Sequence, residues 1–284
     1  MTSGNEQPIE QARTFYAAMR GQPPVRFPRR EEDDAAIRQS SAFRFGPGRS
    51  LAARTFGASD APVVALMHGW GGQSTQFYRM ALALAEAGYR AIVVDCGNHG
   101  DADPMPLGFD RFMLDAAALA DHLGAMPFAW VSHSAAALAI MSARRTHGLS
   151  AQAYVTIAAP FTPYVPLNRL RALGADQETI DAVKPLLASE FACDWNALEA
   201  GLAWQRDESA RLLAVYDDDD TMARSTDAER IAAVWPDCLI YRTTGNGHNR
   251  ILKSEQAIMT TLEFLESSVS WSADRRQAGP IKQR

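Results

Sequence analysis

The stretch VSHSAA at residues 131–136 decides how this chain is interpreted, because it joins a strand pattern to a helix pattern. The apolar run at 129–132 is typical of a short buried strand, and an alanine-rich segment with helical spacing follows at 135–145. A serine between such elements is typical of a nucleophile elbow, a strained turn in which the residues two before and two after the serine are small. Ser132 and Ala136 hold those two positions, where glycine is usual. The alternative is that Ser134 only caps the following helix, since serine is a favoured N-cap residue.

The same alternation of patterns continues on both sides of this stretch. Six short apolar runs are predicted strands, at 63–67, 91–95, 129–132, 154–158, 212–216 and 239–242. Segments with helical spacing lie between most of them, at 76–87, 111–123, 135–145, 228–235 and 254–267. This alternation predicts an α/β fold with a parallel sheet and helices on both faces. Two further extended runs, at 42–45 and 51–56, flank a Gly-Pro-Gly turn and predict an antiparallel hairpin.

Four regions follow from these patterns. Residues 1–39 combine prolines with a charge run and predict an N-terminal extension, either a solvated leader or one short helix. Residues 40–268 form the predicted domain. Within it, residues 160–207 are too long for one crossover and carry several short helical patterns, so they predict an inserted cap over the carboxyl edge of the sheet. Residues 269–284 are predicted to be a flexible tail.

Composition excludes several classes of protein. With 284 residues, of which 47% are hydrophobic, the chain can build one sizeable core and is neither a disordered tail nor a small disulfide-stapled domain. The 28 basic and 33 acidic residues give a net charge of −5, which disfavours a nucleic-acid partner. The three cysteines are odd in number and far apart, and no secretory signal or membrane-length apolar run is visible. We therefore expect a cytoplasmic protein with no membrane partner.

The chain also offers the partners that a serine nucleophile needs, because a hydroxyl attacks only when a base takes its proton and an acid orients that base. The strand at 212–216 leads into four consecutive aspartates at 217–220, and His248 follows the strand at 239–242. Residues that follow parallel strands lie at the same edge of the sheet. An acid and a histidine are therefore expected close to Ser134. No metal is expected, since the aspartate run lacks the glycine and terminal glutamate of a calcium loop.

A glycine-rich stretch, MHGWGG at residues 67–72, follows the strand at 63–67. Glycines there allow the backbone to come close to a substrate and leave amide hydrogens to face a developing oxyanion, although such a stretch can also be only a turn. His68 and His99 are expected mainly to shape their loops. His133 is expected either to line the pocket or to form a hydrogen bond below the cap.

Five features in this order resemble the serine-hydrolase branch of the α/β-hydrolase superfamily, over about residues 40–268. They are HGWG at 68–71, DCGNHG at 95–100, the turn at Ser134, the acidic turn at 217–220, and Gly247-His248. The resemblance implies an eight-stranded, mostly parallel sheet with helices on both faces and an inserted helical cap. It also implies that no cofactor is used.

The resemblance further implies a role for individual residues. Ser134 would be the nucleophile and His248 the general base and acid, while the backbone amides of Trp70 and Ala135 would hold the oxyanion. Aligning Tyr216 with the histidine of the family's His-Gly-x-x-Asp pattern makes Asp220 the acid, with Asp219 as its rival. The other two aspartates, Asp217 and Asp218, are expected in a solvated turn. Substrate-contacting positions are assigned to His68, Gly69 and His133.

The function expected from this resemblance is hydrolysis of a small or medium carboxylic ester or thioester through an acyl-enzyme. Two alternatives remain within the enzyme class: acyl transfer to an acceptor other than water, and cleavage of a carbon–carbon bond. A third alternative is a non-catalytic ligand-binding protein on the same fold. Its best argument is the elbow, in which Ser132 and Ala136 stand where glycine is usual.

Overall fold

A sheet of eight strands organises the molecule, whose computed structural model describes residues 6–48 and 50–278. The strands are β1 (Ser41–Phe45), β2 (Leu51–Phe56), β3 (Val63–Met67), β4 (Arg90–Asp95), β5 (Ala129–His133), β6 (Ala153–Ile157), β7 (Arg211–Asp217) and β8 (Leu239–Thr243). Their order in the sheet is β1-β2-β4-β3-β5-β6-β7-β8. β2 pairs antiparallel with β1 and β4, and all other neighbours are parallel. The predicted fold class, an eight-stranded and mostly parallel sheet, is confirmed.

Helices cover both faces of this sheet. They are α1 (Glu6–Arg20), α2 (Glu31–Arg38), α3 (Tyr78–Glu86), α4 (Phe109–Leu123), α5 (Ser134–Thr146), α6 (Tyr164–Ala172), α7 (Gln177–Ser189), α8 (Trp195–Glu199), α9 (Asp227–Val234), α10 (Gly247–Arg250) and α11 (Glu255–Ala278). Side chains alternate along a strand, so Ala65 and Met67 of β3 belong to the core on one face, shared with α4, α5 and α9, whereas Val64 and Leu66 belong to the core on the other face, shared with α3 and α11. Burial on both faces explains why these strands are continuous apolar runs.

Helix α5 lies deepest in the structure. Every residue from Ser134 to Ala143 is buried, and most of them are alanine or other apolar residues. Alanine combines the highest helix propensity with the smallest side chain that a helix former has, which allows α5 to lie close against the sheet. The N-terminus of α5 is therefore held rigidly at the carboxyl end of β5.

The segment between β6 and β7 carries α6, α7 and α8, in the interval where the cap is predicted. Helix α1 packs against α7, and its residues Ala12 and Met19 are buried. Arg20 at the end of α1 forms ion pairs with Asp110 at 2.8 Å and Glu190 at 2.9 Å. Where the sequence predicts a solvated leader or one short helix, the structure thus has two helices, and the first is docked on the cap.

The C-terminal helix also departs from the prediction. Helix α11 continues to Ala278, past residue 269, where the flexible tail is predicted to begin. Residues 279–284 of that predicted tail lie outside the described residues.

Candidate active site

The turn between β5 and α5 has the strained backbone of a nucleophile elbow. Ser134 has φ +52°, in the left-handed region that residues with a Cβ rarely adopt, which costs about 1–3 kcal/mol. Ser132 and Ala136 are both buried, so only small side chains fit there. The N-cap of α5 is His133, and no side chain caps the helix. Because His133 holds the N-cap position and Ser134 has a left-handed φ, the structure does not support the alternative that Ser134 only caps α5.

A chain of two hydrogen bonds joins Ser134 to an acid through His248. The distance from Ser134 Oγ to His248 Nε2 is 3.0 Å, and that from His248 Nδ1 to Asp220 Oδ2 is 2.7 Å. The side chains of His248 and Asp220 are 8% and 0% exposed. An ionised carboxylate can only accept, so we assign the proton to Nδ1, which leaves Nε2 to accept from the serine hydroxyl. The predicted serine, histidine and aspartate are therefore brought together.

Only one of the four consecutive carboxylates reaches the imidazole. Asp220 is held by its second oxygen, Oδ1, which accepts from the amides of Met222 at 2.7 Å and Ala223 at 3.0 Å. Asp219, the rival in the sequence, instead accepts from the amide of Gly245 at 2.7 Å. The local fold of the turn thus selects Asp220 as the neighbour of the imidazole.

The expectation of a solvated turn holds for Asp218 but is wrong for Asp217. Asp218 is 44% exposed and forms a surface ion pair, whereas Asp217 is 0% exposed. Burial by itself raises the pKa of Asp217, but hydrogen bonds from Thr243, Gly247 and Asn246 outweigh it and lower that pKa to about 2. Sequence reasoning missed this residue because four adjacent aspartates carry no signal of which one turns inward.

The glycine-rich loop after β3 lies directly against the elbow. A Cβ on Gly69 would lie 2.8 Å from Ser134 Cβ and 3.0 Å from the carbonyl oxygen of His133. Glycine is therefore required at this position, and the Gly69–Trp70 peptide group lies beside the nucleophile. The next amide, of Gly71, donates to a histidine ring nitrogen at 3.1 Å.

The two predicted oxyanion donors belong to different elements. Trp70 follows Gly69, and its ring packs against those of Phe109 at 5.8 Å and Phe112 at 6.3 Å between centroids. Ala135 lies in the first turn of α5, where backbone N–H groups have no acceptor within the helix. Trp70 thus adjoins the glycine that contacts Ser134, and Ala135 adjoins Ser134 itself.

His68 is a structural residue here, contrary to its assignment as a substrate contact. Its Nδ1 donates to the carbonyl of Gly69 at 2.8 Å, and its Nε2 accepts from the amide of Cys96 at 3.1 Å. Burial lowers the pKa of His68 to about 4, so the ring is neutral at pH 7. His99 acts similarly, since its Nε2 accepts from the amide of Gly71 at 3.1 Å. Burial and the neighbouring His68 lower its pKa to about 3. Both rings fix loops, as expected for both histidines.

His133 contacts the backbone of His248. Its Nε2 donates to the backbone carbonyl of His248 at 2.9 Å, and the two ring centroids are 4.7 Å apart. Its Nδ1 is buried without a hydrogen-bond partner and faces Gly69, where an added Cβ would lie 3.1 Å away. Of the two alternatives for His133, the structure favours the hydrogen bond over a place in the pocket lining.

Neither a metal-binding cluster nor a membrane-spanning helix occurs among the described residues. No group of three or more His, Cys, Asp or Glu residues within 6–48 and 50–278 is arranged to hold a metal ion. In the same part of the chain, no helix has the length and apolar character needed to cross a membrane.

Comparison with known sequences gives a short match. No family model matches the sequence. An 80-residue stretch is 32% identical to the sn-1-specific diacylglycerol lipase ABHD11 of Mus musculus, over 28% of this chain and 26% of that protein. The match thus spans about a quarter of the length of the mouse protein.

Comparison with solved structures covers most of the chain. An epoxide hydrolase of Vigna radiata aligns with a TM-score of 0.62 at 16% identity, over 81% of this chain and 99% of that one. A thermophilic esterase of Thermogutta terrifontis aligns with a TM-score of 0.59 at 16% identity, over the same shares. An α/β-hydrolase-fold protein of Burkholderia ambifaria has a TM-score of 0.59 at 16% identity, over 79% and 97%. The strand order, the strained elbow at the end of β5 and these alignments together establish that the chain has the α/β-hydrolase fold.

Proposed function

We propose that this chain is a serine hydrolase that cleaves a carboxylic ester or thioester through an acyl-enzyme on Ser134. The observation that carries the proposal is the hydrogen-bond chain from Ser134 Oγ to His248 Nε2 at 3.0 Å and from His248 Nδ1 to Asp220 at 2.7 Å. A hydroxyl in this arrangement can lose its proton to the imidazole as it attacks, which is how serine becomes a nucleophile. The strained backbone at Ser134 is a second argument, because strain of this kind persists where the surroundings impose it.

In the proposed reaction, Ser134 Oγ attacks the carbonyl carbon of the substrate as its proton moves to His248 Nε2. The tetrahedral intermediate collapses, the carbon–oxygen or carbon–sulfur bond breaks, and the imidazolium returns the proton to the leaving alcohol or thiol. Water then repeats the attack on the acyl-enzyme with His248 as base, which releases the acid and restores the serine. Asp220 holds the ring in its tautomer and stabilises the imidazolium.

The oxyanion of each intermediate would be held by the amides of Trp70 and Ala135. Gly69 supports this role, since it touches the nucleophile and puts the adjacent peptide group beside it. Loss of one such donor lowers kcat by about 10²- to 10³-fold.

The substrate class rests on two arguments. The loop after Gly69 carries an apolar side chain, Trp70, which packs on the buried rings of Phe109 and Phe112, and an apolar loop beside Ser134 favours an acyl substrate over a charged one. The names of similar proteins, a diacylglycerol lipase and an esterase, agree with ester cleavage. One of the similar structures is an epoxide hydrolase, so the fold alone does not determine which type of bond is cleaved. We also propose that the protein is cytoplasmic.

A fluorophosphonate probe with intact-mass detection tests the proposal. Wild-type protein should gain one adduct on Ser134, and the Ser134→Ala and His248→Ala variants should gain none while remaining folded. Turnover of short acyl esters should fall by about 10⁶-fold in Ser134→Ala. An unlabelled wild type, under conditions that label a control hydrolase, would refute the proposal.

A non-catalytic binding protein is the second candidate, and the elbow is the observation that favours it. Ser132 and Ala136 are buried at positions where glycine is usual. In the binding protein, the same ester would bind without turnover, and Ser134→Ala would leave its affinity unchanged. An acyltransferase or a carbon–carbon hydrolase with the same triad would instead be labelled by the probe. A panel of acyl acceptors separates these activities from ester hydrolysis.

A further inference from the structure

The buried carboxylate of Asp217, at the end of β7, is not used by the proposed reaction. It accepts five hydrogen bonds, from the last residue of β8, from the segment that follows β8 and from its own turn. Oδ1 accepts from the amides of Gly247 at 2.9 Å and Asp219 at 3.1 Å. Oδ2 accepts from Thr243 Oγ1 at 2.7 Å, Asn246 N at 3.0 Å and Asn246 Nδ2 at 3.1 Å. One carboxylate is thus saturated by donors.

These hydrogen bonds connect the two loops that carry the acid and the base. Gly247 immediately precedes His248, so its amide bond to Asp217 holds the backbone from which the imidazole projects. On the other side, the amide of Asp220 donates to the carbonyl of Asp217 at 3.1 Å. Asp217 is therefore bonded on one side to the histidine loop, defined as residues 244–248 and ending in the first residues of α10, and on the other side to the turn that carries Asp220.

Such a support matters for the histidine loop because two of its residues are glycines. Gly245 and Gly247 have φ +80° and +62°, and glycine loses more backbone freedom on ordering than any other residue. No regular helix or strand holds the backbone between Thr243 and Gly247. Asp217 supplies acceptors to three groups of this short segment, and the pKa lowered to about 2 keeps it ionised, and so an acceptor, at neutral pH.

We propose that Asp217 is a positioning residue that sets the place of His248 relative to Asp220 and Ser134, through its hydrogen bonds to the amides of Gly247 and Asn246. The inference rests on the proposed function for its effect on rate. Asp217 itself touches neither the reacting serine nor the imidazole.

The Asp217→Asn variant disrupts this support in either orientation of the amide. If the NH₂ group takes the Oδ1 side, it faces the N–H of Gly247, and on the Oδ2 side it faces the N–H of Asn246. Two donors then oppose each other, and the histidine loop shifts. Misplacement of a catalytic group by about 1 Å costs about 10²-fold in rate. We expect kcat to fall on that order while KM stays nearly constant.

Two variants serve as matched controls. Asp218→Asn removes the same charge from the adjacent, exposed position, which is bonded to Arg242 and not to the histidine loop. Thr243→Val removes one buried donor to Asp217 but leaves the amides of the loop bonded to it, so it lowers stability without releasing the loop. Both should retain kcat within a few-fold of the wild type.

A proton NMR spectrum tests the geometry without any substrate. The His248 Nδ1 proton, shared with Asp220 at 2.7 Å, should give a far-downfield signal in the wild type that His248→Ala removes. We expect Asp217→Asn to lose or shift this signal at a temperature where it is folded, and both controls to keep it. If the NMR signal and kcat are unchanged in Asp217→Asn, the inference is wrong. It is also wrong if Thr243→Val, with the same unfolding temperature as Asp217→Asn, loses the signal and kcat to the same extent. If the wild type fails to label with the fluorophosphonate, the proposed function fails, while the NMR comparison still judges the positioning role.

Discussion

The contact between Gly69 and the elbow leads to a sharp prediction. Replacing Gly69 by alanine adds a single methyl group that would lie 2.8 Å from Ser134 Cβ and 3.0 Å from the carbonyl oxygen of His133. Non-bonded carbons pack at about 3.5–4.0 Å, so the two elements must separate by about 0.7 Å or more. The elbow is fixed by β5 and the buried α5, so the loop that carries Trp70 moves instead.

The expected loss follows from that movement. Displacing one oxyanion donor costs about 10²- to 10³-fold in kcat, or about 3–4 kcal/mol in the activation free energy. The free energy of unfolding should fall by only about 1–3 kcal/mol, which is the usual cost of an extra methyl group in a packed region. Gly69→Ala should therefore be a folded protein with a severely reduced kcat.

Gly71→Ala is the matched control, two residues along the same loop. Gly71 has φ +73°, but no atom lies within 4 Å of an added Cβ, so the change costs only about 1 kcal/mol of backbone strain. Hydrolysis of a short chromogenic ester, the rate of fluorophosphonate labelling and thermal unfolding should be measured for both variants. If Gly69→Ala turns over as fast as Gly71→Ala, the loop does not place an oxyanion donor and the argument from this contact is wrong.

Three further changes have defined outcomes. Asp220→Asn should lower kcat by about 10⁴-fold because the imidazole loses its acceptor. Asp219→Asn should not lower kcat, since the amide oxygen of the new side chain still accepts from the loop. Equal losses of kcat for the two variants in steady-state assays would contradict the choice of Asp220 as the acid. Burial lowers the pKa of His68 from 6.5 to about 4, so its ring is neutral in the folded protein at pH 7. Below pH 6.5 the unfolded chain binds a proton at this histidine that the folded protein does not bind. The free energy of unfolding should therefore fall by about 1.4 kcal/mol per pH unit down to about pH 4. Urea unfolding at pH 7 and pH 5 should show that decline, and a less steep one in His68→Asn. Arg20→Met should lower the free energy of unfolding by about 3 kcal/mol because the carboxylate of Glu190, only 2% exposed, loses its cation. Adding Glu190→Gln should restore part of that free energy in the same unfolding assay. An Arg20→Met protein as stable as the wild type would show that this ion pair does not anchor α1.

The sequence predicts an α/β fold with a parallel sheet from its alternating patterns, and it offers Ser134 and His248 as two of the three residues in the hydrogen-bond chain, with capping of α5 as the alternative for Ser134. Strand boundaries agree with the structure to within one residue at each end, because buried parallel strands are continuous apolar runs that local composition reveals. Ser134 and His248 are identified because each follows a strand, and parallel strands bring such residues to one edge of the sheet. The sequence does not predict the docking of α1 on α7, which depends on ion pairs between Arg20 and residues more than 80 positions away.

The acidic turn separates what the sequence determined from what the tertiary structure decided. The residues at 217–220 are chemically identical, so the sequence alone determines that a carboxylate is available at the right strand end, and only a resemblance ranks Asp220 first. Which one turns toward His248, which one is buried and which one faces solvent depends on the donors that surround each side chain. Those donors come from Met222 and Ala223 for one carboxylate and from the loop after β8 for another. The bonds of Asp220 are local to its turn, whereas those of Asp217 to Thr243, Asn246 and Gly247 join residues 26 to 30 positions apart. Bonds of the second kind depend on the packing of β7 beside β8, which no local pattern in the sequence encodes.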